Sequence, residues 1–142
     1  MNTKELMIGD WVRIKHDDTT LYMQVEQVMN SCIGYHYGWD VITPDFNAEP
    51  IPLTAEILKA NGFVYDGKYE DYSLLYKMSY TIYIGHDLDT ISVNKYIDTP
   101  DGREVGNILS MSHNIPYVHE LQHVLRLCGL SEMADNFKVD AK

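Results

Sequence analysis

The chain has 142 residues, 45% of them hydrophobic, and its 11 Lys and Arg against 21 Asp and Glu give a formal charge of −10. That composition fits one ordinary globular domain, or two very small ones, and excludes a disordered chain. Phosphate backbones are gripped by clustered cations, and here the nearest approach to a cluster is Arg13 and Lys15, so direct nucleic-acid binding is disfavoured.

The first fifty residues read as strands. After the turn pair Gly9-Asp10, Val12 and Ile14 alternate with Trp11 and Arg13, and the polar stretch His16 to Thr20 makes a turn. Leu21, Met23 and Val25 then alternate with Tyr22, Gln24 and Glu26. Cys32 to Tyr37 and Gly38 to Ile42 supply a third and fourth strand. Glu49 to Ile51 supplies a last one, where Pro50 and Pro52 suit a sheet edge. Five short strands in so few residues predict a small SH3-like β-barrel over residues 1–53.

Thr54 is placed to cap a helix, with Leu53 and Leu58 as its hydrophobic staple, Ile57 and Leu58 on its buried side, and Asn61-Gly62 as its stop. Apolar and aromatic runs follow at 63–65, 73–76, 80–84, 91–97 and 105–111, with a turn at 98–102, and together they predict an antiparallel meander. The strongest periodicity comes last. Tyr117, Val118, Leu121, Val124, Leu125 and Cys128 form one helical stripe, with Asn114 as cap, Pro116 in the first turn and Gly129-Leu130 as a Schellman stop. Ser131 begins one more turn. Residues 54–142 are thus expected to form an α+β unit, a meander with two main helices packed on it.

Cys32 and Cys128 match no metal or redox spacing and read as reduced core thiols. With no apolar run near the length of a membrane span and no secretory h-region at the start, the expected compartment is the cytoplasm.

One motif carries chemistry. His119-Glu120-Leu121-Gln122-His123 is an H-E-x-x-H, in which two imidazoles four residues apart share a helix face and can hold zinc while the glutamate activates a bound water. A catalytic site needs a third ligand. The metzincin continuation would want Gly at 126 and His at 129, where the chain has Arg126 and Gly129, and Glu132 follows the helix stop too closely to serve. The apolar stripe also assigns His119, Glu120, Gln122, His123 and Arg126 to the wet face. His113 and the His86-Asp87-Leu88-Asp89 segment offer further ligand types, the latter in a turn. Tyr35, Tyr37 and Trp39 are an aromatic cluster on the expected barrel, of the kind SH3-like modules use as a platform for peptides.

Ile8-Gly9-Asp10-Trp11-Val12, the Glu49-Pro50-Ile51-Pro52-Leu53-Thr54 run that continues through Glu56, Ile57, Leu58 and Asn61-Gly62-Phe63, and Tyr117-Val118-His119-Glu120-Leu121-Gln122 together resemble a family of uncharacterised small proteins. These are encoded in gut Bacteroidetes genomes and their phages and prophages. The resemblance transfers no activity. It implies Asn as a common residue at position 123, which weakens the metal reading, and it implies a mobile-element setting. The leading expectation is a non-enzymatic binding or accessory protein acting on a host protein. The alternatives are a zinc-dependent hydrolase, with His119 and His123 as ligands and Glu120 as base, and a sponge or sensor for a small ligand.

Overall fold

A computed structural model of the chain describes residues 5–16, 18–28, 32–36, 42–45 and 48–139. They form an α+β protein, mostly antiparallel sheet, with three helices. The chain divides into two compact units, one of Met1–Leu53 with Tyr117–Val139, the other centred on Thr54–Pro116.

In the first unit, β1 (Trp11–His16) buries Val12 and Ile14 on one side, as its alternation demands. It pairs antiparallel with β2 (Thr19–Gln24) and, along its other edge, with β6 (Glu49–Pro50). Arg13 stands directly opposite Glu49, and their side chains meet at 3.0 Å. Pro50 takes the edge position that its missing N–H allows. A second sheet joins β3 (Gln27–Val28), β4 (Ile33–His36) and β5 (Ile42–Asp45). Residues of both surround one core: Val12 and Ile14 from β1, Ile33 and Tyr35 from β4, with Leu6, Val25 and Ala48. The strands make two separate three-stranded sheets, and among the described residues no pairing closes them into a ring.

Helices α2 (Val118–Leu127) and α3 (Ser131–Asp135) complete this unit. They group with residues 1–53, whereas the sequence reads them with the meander of residues 54–142. The physical reason lies in polar contacts that a hydrophobic stripe does not report. Gln122 of α2 is fully buried; its Oε1 accepts from the N–H of Trp11 at 2.9 Å, and its Nε2 donates to the carbonyls of Gly9 and Ala134. The Val118 N–H also donates to the carbonyl of Ile51. The stop is the expected one: Gly129 has φ +79°, the Leu130 N–H reaches the Leu125 carbonyl and the Gly129 N–H that of Arg126. The start is not. Tyr117 occupies the cap and offers no side-chain bond, and the helix begins after Asn114 and Pro116.

In the second unit Thr54 caps α1 (Ala55–Ala60), its hydroxyl accepting from the Ile57 N–H at 3.2 Å. Gly62 ends it at φ +92°. The meander runs β7 (Val64–Asp66), β8 (Asp71–Tyr76), β9 (Tyr80–Gly85), β10 (Ile91–Thr99) and β11 (Gly102–Met111), each strand paired with the next. Ile82, Ile84, Ile91 and Val93 are buried, as are Ile57, Leu58 and Phe63. No helix among the described residues is long and apolar enough to cross a membrane.

Candidate functional site

The H-E-x-x-H residues do lie on a helix, but its polar face is not wet. His119 is 4% exposed, Gln122 is fully buried and the Arg126 side chain keeps only 10% of its exposure. This corrects the outward assignment. What covers the face is the Met7–Trp11 segment, anchored by Asp10, whose side chain has no exposure at all. One Asp10 oxygen sits 2.6 Å from His123 Nε2 and accepts from the Met7 N–H at 2.8 Å; the other accepts from Arg126 Nη1. Arg126 reaches Asp135 with its other nitrogen. A buried carboxylate is tolerable only with such a full set of donors.

The two imidazoles do not converge on a common point with a third ligand. His119 lies between neighbours, stacked on Tyr117 at 5.9 Å and edge-on to His123 at 5.6 Å between ring centroids. Its Nδ1 and the Oε2 of Glu120 are buried without a hydrogen-bond partner among the described residues. Burial lowers the His119 pKa; the Asp10 charge opposes that, His123 adds to it and Glu5 opposes it. Among the described residues no group of three His, Cys, Asp or Glu side chains is placed to hold a metal ion. His123 spends its Nε2 on Asp10, and His113 is exposed in the other unit.

Of the aromatic cluster, Tyr35 is 4% exposed and fills the first unit's core, so it offers no platform. Tyr37 and Trp39 lie outside the described residues.

An open concavity with chemistry belongs to the second unit. Alternate turns of a meander fall at the same end of its sheet, so the β7–β8 turn and the β9–β10 turn are neighbours, and the His86 N–H donates to the Glu70 carbonyl at 3.0 Å. Between them opens a groove of about 460 Å³ lined by Tyr69, Glu70, Asp71, Tyr83, Asp87 and Asp89. Glu70 and Leu88 hold positive φ, +52° and +58°, in the turns that shape it. Burial, then the charge of Asp66, raises the Asp71 pKa; burial, then Tyr96 and Asp71, raises that of Tyr83.

No protein-family model, curated protein or solved structure matches this chain.

The groove therefore stands on its own chemistry. Four carboxylates flank two phenol rings, one of them, Tyr69, 67% exposed. Ammonium and guanidinium groups are the natural complement, since carboxylates bind them through charge-assisted hydrogen bonds and ring faces attract them. In the sequence alone, Asp87 and Asp89 stand out only as turn residues and Tyr83 only as part of the run 80–84. Carrying the meander one step further, to which turns share an end, would have brought Glu70 and Asp71 beside them.

Proposed function

We propose that the chain is a binding protein that grips a basic segment of a protein partner, with a Lys or Arg side chain seated in the groove of the second unit. The observation that carries this reading is the convergence of Glu70, Asp71, Asp87 and Asp89 from two separate turns around Tyr69 and Tyr83. Burial first, and then the charge of Asp66, raises the Asp71 pKa, and a cation in the groove would offset the second of these. Two of the three serine hydroxyls at its wall are tied into the sheet, Ser92 and Ser110 lying 3.5 Å apart and both within reach of Asn107 Nδ2, which suits holding rather than turnover. The resemblance to mobile-element proteins supplies the setting we propose for such a partner, a host protein. For the first unit we keep the SH3-like reading as a packing of two sheets on one core, supported by the shared cluster of Val12, Ile14, Ile33 and Tyr35.

The test is calorimetric titration with a Lys- and Arg-rich peptide and with a Glu-rich one of equal length. The basic peptide is expected to bind, more weakly as salt rises, and the acidic one not at all. Asp71→Asn with Asp89→Asn is expected to weaken binding about tenfold, while Asp101→Asn with Glu104→Gln, an equal loss of two charges at exposed positions outside the groove, leaves it nearly unchanged. Equal binding by the groove variant, or none by the parent chain, overturns the reading.

A further inference from the structure

The sheet of the second unit ends in two unlike edges. One is β7, three residues long; the other is β11, ten residues long, seven of them exposed. A long edge presents a row of backbone N–H and C=O groups to any strand that can reach them, and proteins usually guard it with Lys, Pro or a bulge. β11 contains neither Lys nor Pro. Its guard is a bulge near one end: Asn107 pairs with Asn94 and Leu109 with Val93, which leaves Ile108 as the extra residue. The straight part, Gly102 to Asn107, has no Lys, Pro or bulge, and its only charges are Arg103 and Glu104. Its longer side chains are tied down on their own sheet. Arg103 donates to the Met78 carbonyl and lies over the Tyr96 ring, and Asn107 Nδ2 is shared among Ser92, Asn94 and Ser110.

We propose that this edge pairs with a second copy of the chain, β11 against β11 antiparallel about a two-fold axis, so that two five-stranded sheets become one. Charge selects the occupant and the place. Two copies carrying −10 each repel wherever acids face each other, but β11 holds one Arg and one Glu and is neutral overall. Charge also selects the register. An axis at Glu104 sets carboxylate against carboxylate, and an axis at Arg103 sets guanidinium against guanidinium. An axis at Val105 sets Glu104 opposite Gly106 and Arg103 opposite Asn107, and it lays Val105, 59% exposed, on its own copy. Such an isologous contact is self-limiting, since it consumes the long edge of this sheet in each copy.

Sedimentation equilibrium of the whole chain, from micromolar to near-millimolar concentration, tests this. A reversible monomer–dimer equilibrium is expected. Val105→Lys, which brings two ammonium groups together at the axis, weakens dimerisation by about tenfold or more without altering the circular dichroism spectrum. Val105→Cys provides a second measurement. Two β-carbons paired across the axis are within disulfide reach, so mild oxidation yields a covalent dimer, whereas Leu75→Cys, exposed but on an inner strand, does not. A chain that stays monomeric throughout with no cross-link at Cys-substituted 105, or a dimer indifferent to Val105→Lys, overturns the proposal; the former outcome leaves the edge to a foreign strand.

Discussion

His123 Nε2 lies 2.6 Å from a carboxylate oxygen of Asp10, a residue 113 positions earlier and wholly shielded from water. The imidazole that the H-E-x-x-H spacing would spend on zinc is thus spent on anchoring the N-terminal segment to α2. Asp10 answers three donors at once, from His123, Arg126 and the Met7 backbone. Removing its charge leaves the Arg126 guanidinium with only the exposed Asp135 carboxylate, at 3.3 Å. Asp10→Asn is expected to lower stability by about 3 kcal/mol, read as a shift of the urea unfolding midpoint. A loss below about 1 kcal/mol, typical of exposed ion pairs, would show that the cluster is not buried as described.

Gln122 carries a comparable burden without charge. Its amide serves the Trp11 N–H and the Gly9 and Ala134 carbonyls. Gln122→Ala leaves the Trp11 N–H without its partner and takes one donor each from the Gly9 and Ala134 carbonyls, which keep Gln24 and the Phe137 N–H, and is expected to cost about 3 kcal/mol. Gln24, whose amide also bonds Gly9 and Asp135 carbonyls, is the control: one of those bonds is exposed, and Gln24→Ala is expected to cost about 1 kcal/mol. Equal losses from the two changes would refute the assignment.

The buried His119 makes stability depend on acidity. Burial holds its pKa below 6.5, the charges of Asp10 and Glu5 pulling against burial and His123 acting with it. As pH falls the unfolded chain binds the proton first. The stabilisation from neutral His119 is therefore complete above 6.5 and is lost as pH falls through the folded-state value. His119→Leu, which abandons no hydrogen bond at Nδ1, is expected to flatten this slope while matching the parent chain at neutral pH. Urea midpoints at a series of pH values measure it, and parallel curves for the two proteins would contradict it.

Gly9 is fixed by its surroundings as well as its backbone. At φ +93° a side chain is strained, and a Cβ would stand 2.9 Å from both the Arg126 guanidinium and the Asp135 carboxylate. Gly9→Ala is expected to destabilise by about 2 kcal/mol. Gly102, at φ +132° with open space around it, bears strain alone, so Gly102→Ala should cost less. Thermal melts of the two variants give the order directly.

How much of this was legible beforehand follows from the range of the interactions. Local features read well: the Thr54 cap, the Gly62 and Gly129 stops, the alternation of Val12 and Ile14, and the successive strands of the meander all depend on neighbours in sequence. The stripe of α2 was equally plain, and Val118, Leu121 and Leu125 are buried as it predicts. Its opposite face misled, because periodicity separates apolar from polar but not wet from hydrogen-bonded. Nothing near Gln122 or His123 announces a partner at Gly9-Asp10-Trp11, more than a hundred residues away. The groove was within reach, since a meander's alternate turns meet, yet acids in turns read singly as loop chemistry.

The indole nitrogen of Trp11 donates to the carbonyl of Phe137, 126 residues along the chain. Ribosomes build proteins from the amino end, so residues 54–116 have all been made before the last pieces of the first unit exist. β1 is made early and waits, its Trp11 amide and indole unclaimed, for the last residues to be translated. A nascent chain stalled short of Tyr117 would hold the first unit unfinished, and chaperones would meet it in that form.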